Sequence, residues 1–237
     1  RTNSRLMRSF MNPCSPGRCL TEGSVMRTCG VAWPGKSLAT RIELKMIPDK
    51  AFEMNGNPSR WVRRFAPLIA PGGRVLDLAC GSGRHSLFLA AEGFRVEAVD
   101  RDAAAIAALA PLDPRVSARV ADIEGGPWPY YGHVFDAVVV TNYLFRPLLP
   151  LIMNALDLNG VLIYETFMVG NERFGKPSNP AFLLRQGELL DVLRPKLNVV
   201  AFEQGEVELP RPAVVQRICA VRGLPRSLPE PPPFVAA

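Results

Sequence analysis

Between residues 74 and 222, short apolar runs alternate with stretches whose apolar side chains recur at helical spacing. That alternation is the signature of βαβ units and a parallel sheet. Val75, Leu76, Leu78 and Ala79 form a run suited to a strand covered on both faces. Leu87, Phe88, Ala90 and Ala91 then cover one side of a helix, which Gly93 is placed to end. Strands are expected over 94–100, 116–122, 135–142 and 161–167, the third of these carrying the Val138-Val-Val140 run. Helices are expected over 103–110, 148–156 and 188–193, with Asp102 placed to cap the first and Asn159-Gly160 to end the second. Residues 197–204 and 214–222 read as two closing antiparallel strands. Before the first strand, Asn57 and Pro58 are placed to start a helix carrying Trp61, Phe65, Leu68 and Ile69, with Pro67 interrupting it.

The chemistry concentrates in the turn after the first strand, Asp77-Leu-Ala-Cys-Gly-Ser-Gly83. Gly81 and Gly83 give it backbone freedom and close ligand approach, and the following helix aims its amides at whatever lies above the strand. A dinucleotide site wants a third glycine, where this chain has Ser86, and it places a pyrophosphate at the helix start. Asp77, if directed into the pocket, would repel that pyrophosphate and attract an ammonium. S-adenosylmethionine has the ammonium and no phosphate, so the turn favours it over NAD. An NAD-dependent oxidoreductase and a non-catalytic cofactor-binding module are the alternatives.

The motif Asp77 to Gly83 resembles the first motif of class I S-adenosylmethionine-dependent methyltransferases. Its continuation Gly83-Arg-His-Ser-Leu-Phe-Leu-Ala-Ala91 is similar to that of the tellurite-resistance-like branch of small-molecule methyltransferases. The resemblance covers about residues 55–222. It implies a Rossmann-like, doubly wound α/β fold: a mostly parallel seven-stranded sheet with an antiparallel closing strand. It also implies in-line methyl transfer from S-adenosylmethionine to a small-molecule acceptor. Asp77, Gly81 and Gly83 are then expected to hold the methionine part. Asp100 ends the second strand at the distance from Gly81 where an acid meets a ribose diol. Asp122 and Ile123 correspond to the family position that meets adenine, and Asn142 ends the fourth strand beside them. All collect at the carboxyl ends of the strands, where doubly wound sheets bind ligands. Asn142, Tyr143 and Glu165 are the catalytic candidates, with Arg146, Arg173 and Asn179 for the acceptor. Glu165 can serve as a base, hold a cationic acceptor or pair with an arginine. The two arginines can bind an anionic acceptor or stay solvated. The long polar loop 168–180 is a candidate lid.

Charge sharpens the division into segments. The 237 residues carry a net +6, and all of that excess sits in residues 1–45, which hold eight basic and two acidic side chains. Those residues show no sustained period and read as a basic extension or a targeting segment. Residues 46–222 are the cofactor-binding domain, and 223–237 a Pro-rich tail. A neutral domain disfavours a nucleic-acid partner and fits a small acceptor. No apolar run has the length of a membrane span. The five cysteines have no Cys-x-x-Cys pair, and the two histidines, His85 and His133, lie far apart, so no metal site is expected. Reduced thiols fit a cytoplasmic protein.

Overall fold

The computed structural model describes residues 56–224. The expectations for residues 1–45 and for the tail beyond 224 lie outside them. Seven strands form one sheet: β1 (Arg74–Leu78), β2 (Arg95–Asp100), β3 (Val116–Val120), β4 (Phe135–Thr141), β5 (Leu156–Phe167), β6 (Asn198–Val207) and β7 (Ala213–Val221). Their spatial order is β3-β2-β1-β4-β5-β7-β6. The first five are mutually parallel, and β7 is antiparallel to both β5 and β6. This is the mostly parallel seven-stranded sheet expected from the sequence. The strand order reverses between β1 and β4, which opens a crevice above their carboxyl ends.

Strand alternation sends side chains to two cores, one on each face. Leu76, Leu78, Val138, Val140, Leu162 and Tyr164 face one, packed with α4 (Leu149–Asn154) and α5 (Glu188–Leu193). Val75, Ala98, Ala137, Val139, Val161 and Ile163 face the other. That second core also takes α1 (Arg60–Phe65), α2 (Arg84–Ala91) and α3 (Ala103–Leu109). Trp128 and Tyr130, from the Gly- and Pro-rich loop before β4, pack edge-on and join the first core.

Two element starts, those of α1 and β5, depart from the sequence reading by more than one residue, and Pro67 interrupts α1 as expected. Helix α1 is capped by Ser59, whose hydroxyl accepts from Trp61 N–H at 3.0 Å, and not by Asn57. It ends at Phe65, and a 3₁₀ turn containing Pro67 follows, because proline at that position has no N–H for the helix ladder. Strand β5 starts at Leu156 rather than at Val161. Leu156 pairs with Phe135 ahead of a bulge, and Asn159 takes a left-handed φ of 66° inside it. Asn159-Gly160 therefore kinks a strand instead of stopping a helix.

Candidate cofactor and acceptor site

Two cavities open at the carboxyl end of the sheet. One, of about 430 Å³, is lined by Ala79, Asp100, Asp122, Ile123, Asn142 and Tyr143 among others. The other, of about 410 Å³, lies against Glu165, Arg217, the start of α1 and the β6–β7 connection. Asn142 and Phe167 line both, so the two cavities meet there.

Asp100 stands at the end of β2 because Asp102, two residues on, does the capping. The Asp102 carboxylate accepts from Ala104 and Ala105 N–H at 2.9 and 3.1 Å. Asp100 accepts from Gly81 N–H at 2.8 Å and from Asp102 N–H at 2.9 Å, one on each oxygen. A carboxylate has about four acceptor positions, so each oxygen keeps room for a ligand hydroxyl. Asp122 ties its own loop: Oδ1 accepts from Glu124 and Gly125 N–H at 3.0 and 3.1 Å. Those backbone bonds hold its carboxyl below the usual carboxylate range, which leaves it ionised and acceptor-only. Ile123 is buried and supplies an apolar wall of the same cavity.

The turn itself departs from expectation. Asp77 is 1% exposed and lines neither cavity. Its Oδ2 accepts from the Ser86 hydroxyl at 2.6 Å. The expected direct grip of Asp77 on a ligand ammonium is therefore corrected. Ser86, standing where a dinucleotide site has glycine, ties this carboxylate to the first turn of α2. The two glycines also divide their work. Gly81, at φ 55°, faces open space, whereas a Cβ on Gly83 would lie 2.4 Å from Leu109. Gly81 admits a ligand, and Gly83 admits a neighbouring helix. Ala79 and Asn142 hold left-handed φ values of 55° and 54° at the ends of β1 and β4. Strain of this kind in non-glycine residues is characteristic of ligand sites.

His85 fastens α1 to this end of the sheet. The Ser59 N–H reaches His85 Nε2 at 3.1 Å, and Thr141 Oγ1 lies 3.2 Å from Nδ1. Since the backbone N–H must donate, these partners assign the imidazole proton to Nδ1. Burial lowers the His85 pKa to about 3, with Arg84 adding to the effect. Burial also raises Asp77 to about 6, partly opposed by its hydrogen bonds to Ser86.

These two shifts have opposite consequences for stability. The folded state holds the Asp77 proton more tightly than the unfolded chain. Its contribution is complete below about pH 4 and is lost as pH rises through about 6. The folded state resists protonating His85. That contribution is complete above about pH 6.5 and is lost as pH falls from there toward 3. Between pH 4 and 6 the two therefore oppose each other. Asp77→Asn is expected to make stability climb with pH more steeply than in the parent, and His85→Gln to make it climb less. Urea melts across that range read both slopes. Profiles parallel to the parent's in both variants would contradict these assignments.

The catalytic candidates divide between the cavities. Tyr143 lines the first, and its buried hydroxyl has no hydrogen-bond partner among the described residues. Burial, with Glu124 alongside, pushes this phenol far up, so it is a donor at neutral pH and not a base. Glu165 lines the second cavity beside Arg217, whose Nε lies 2.5 Å from Glu165 Oε2. Glu165 and Arg217 face each other in the β5–β7 register.

Arg146, Arg173 and Asn179 line neither cavity, which corrects their expected contact with the acceptor. Arg146 makes two bonds to Glu188, at 2.6 and 3.0 Å, and donates to the Ala181 and Leu183 carbonyls. Arg173 pairs with Glu206 on β6. Asn179 caps the short 3₁₀ turn Pro180–Phe182. All three hold the segment after β5 in place, and that segment lends Pro177 and Phe182 to the first cavity.

Several lining residues escaped the sequence reading. Ala79 carried no signal beyond standing where a left-handed turn prefers glycine. Arg84 follows Gly83 directly, a visible clue to a cation beside the turn. Arg211, between Pro210 and Pro212, had no pattern at all.

Comparison with known proteins agrees with this architecture. Residues 50–125 match the family model described as tellurite resistance protein TehB. No curated protein matches the chain significantly in sequence. Among solved structures, TehB from Haemophilus influenzae superposes with a TM-score of 0.55 at 22% identity, covering 68% of this chain and 61% of that one. The match thus spans less than two thirds of that protein. A TehB-like S-adenosylmethionine-dependent methyltransferase from Corynebacterium glutamicum gives 0.52 at 20% identity, covering 73% and 93%. The N-methyltransferase NodS from Bradyrhizobium japonicum gives 0.55 at 16%, covering 70% and 93%. The fold is that of the class I S-adenosylmethionine-dependent methyltransferases. Within that class, the segment carrying the glycine turn is similar to the TehB-like branch, as its motif implied. The fold read from the sequence agrees with these comparisons.

Proposed function

We propose that the protein binds S-adenosylmethionine in the first cavity and transfers its methyl group to a small molecule held in the second. One observation carries the reading: the two cavities meet at Asn142, above the point where the strand order reverses. In this reading Asp100 receives the ribose hydroxyls and Asp122 the adenine amine, with Ile123 against the ring. The methionine arm crosses the open face of Gly81. The acceptor's lone pair forms a bond to the methyl carbon as the carbon–sulfur bond breaks, and that electron pair returns to sulfur. The sulfonium is already activated, so the protein's part is alignment and exclusion of water. Where the acceptor nucleophile carries a proton, Glu165 is the nearest candidate to receive it, once freed from Arg217.

The preference over NAD no longer depends on Asp77. Beside Asp100, which suits the ribose of either cofactor, the first cavity presents Asp122 and Glu124 against Arg101 alone, a balance that repels a pyrophosphate and suits a sulfonium. No helix among the described residues is long and apolar enough to cross a membrane. The free thiols of Cys80 and Cys219 are consistent with a cytoplasmic place.

The test is calorimetry with S-adenosylmethionine and with NADH, followed by mass spectrometry of a metabolite mixture incubated with methyl-deuterated cofactor. Micromolar binding of S-adenosylmethionine and a product heavier by one trideuteromethyl group are expected. Binding of NADH alone would point to the oxidoreductase. Tight S-adenosylmethionine binding with no labelled product from any mixture would point to a non-catalytic module.

A further inference from the structure

We propose that the methyl acceptor is an organic anion, a carboxylate carried on an apolar body, seated in the second cavity against Arg211 and Arg60. The inference rests on the methyltransferase reading and adds the class of acceptor to it.

The charges of the two cavities differ in sign. Where the first is acidic, the second is lined by four arginines, Arg60, Arg84, Arg211 and Arg217, and by a single carboxylate, Glu165. Glu165 is already committed to Arg217 at 2.5 Å, and Arg217 also reaches Glu203 at 3.6 Å. No ion pair engages Arg60, Arg84 or Arg211 among the described residues. Arg63, Arg74, Arg95, Arg101 and Arg222 are likewise outside any ion pair among the described residues, so what singles out this cavity is the gathering of three such side chains in one lining. Three cations with no acidic partner among the described residues, gathered around one concave wall, make a site of positive potential, which concentrates anions.

Two anions compete for that potential, the cofactor's own carboxylate and the acceptor. Chain position separates them. Arg84 opens α2 directly after the glycine turn, so it stands beside the methionine arm. Arg211 belongs to the β6–β7 connection, on the far side of the sheet order from β1. A volume of about 410 Å³ is also that of a separate small-molecule site, not of one carboxyl group. The remaining wall is apolar, with Phe167, Val207, Leu209 and Val215. An inorganic oxyanion would leave that surface in water, whereas a hydrocarbon body would cover it.

The experiment uses the full chain saturated with S-adenosylhomocysteine. Benzoate, phenylacetate, 3-phenylpropionate, their neutral amides and inorganic sulfate are each titrated by calorimetry. At least one carboxylate is expected to bind ten times more tightly than its amide and than sulfate. In Arg211→Gln, carboxylate affinity is expected to fall about tenfold, the equivalent of one charge-assisted hydrogen bond, with S-adenosylhomocysteine affinity within twofold of the parent. The proposal is overturned if carboxylates and amides bind alike, if none binds, or if sulfate matches the best of them. It is also overturned if Arg211→Gln weakens S-adenosylhomocysteine as much as the carboxylate, since Arg211 then serves the cofactor. Failure of the parent protein to bind S-adenosylhomocysteine at all is the separate outcome that removes the underlying reading.

Discussion

Asp100→Ala is expected to weaken S-adenosylhomocysteine binding about 100-fold. The effect has two sources. The carboxylate is the proposed receiver of both ribose hydroxyls, and each charge-assisted bond contributes roughly 1.5–3 kcal/mol. Two such bonds at the lower figure come to roughly 3 kcal/mol, about two orders of magnitude in affinity. The same carboxylate also fixes the glycine turn through Gly81 N–H at 2.8 Å, so its loss loosens the surface over which the methionine arm lies. Asp100→Asn keeps one acceptor oxygen and is expected to fall between the two. Calorimetry on protein whose thermal melt is intact gives the comparison. A loss smaller than threefold in Asp100→Ala would remove this residue from the ribose site.

Gly83→Ala is the substitution expected to do most harm to the fold. The backbone there has φ 80°, and an added Cβ would meet Leu109 side-chain atoms at 2.4, 2.5 and 2.9 Å. Leu109 is itself 1% exposed, so it must repack against α2 to make room. Left-handed strain costs about 1–2 kcal/mol and overpacking about 1–3 kcal/mol. A loss of roughly 3 kcal/mol is therefore expected in urea melts, a large part of the stability of a domain this size. Gly81→Ala is the control. Its φ of 55° carries the same kind of strain, but its Cβ would enter open space. It should cost only the strain, and it should impair cofactor binding instead. Equal stability losses in the two variants would show that Leu109 packing does not distinguish them.

The frame of the sheet was legible because parallel strands buried on both faces are continuous apolar runs, as in Val138-Val-Val140. The Asp102 cap was legible for a similar reason, since capping is a local rule that needs only the residues beside it. Asp77 was misread because its partner is nine residues away, across a turn. Ser86 looked like a missing glycine, and its hydroxyl was not seen as a donor. Arg146 and Arg173 were misread in the same way, since Glu188 and Glu206 become their partners only after the chain has folded back. The basic wall of the second cavity could not be seen at all. It draws Arg60, Arg84 and Arg211 from three separate elements, and nothing local links them.

A crystal structure of the protein with S-adenosylhomocysteine bound is the most direct measurement of the central claim. It should show both ribose hydroxyls on Asp100, adenine beside Asp122 and Ile123, and the sulfur near Asn142 where the cavities join. The ligand found elsewhere on the domain, or lying with its ribose away from Asp100, would contradict the account.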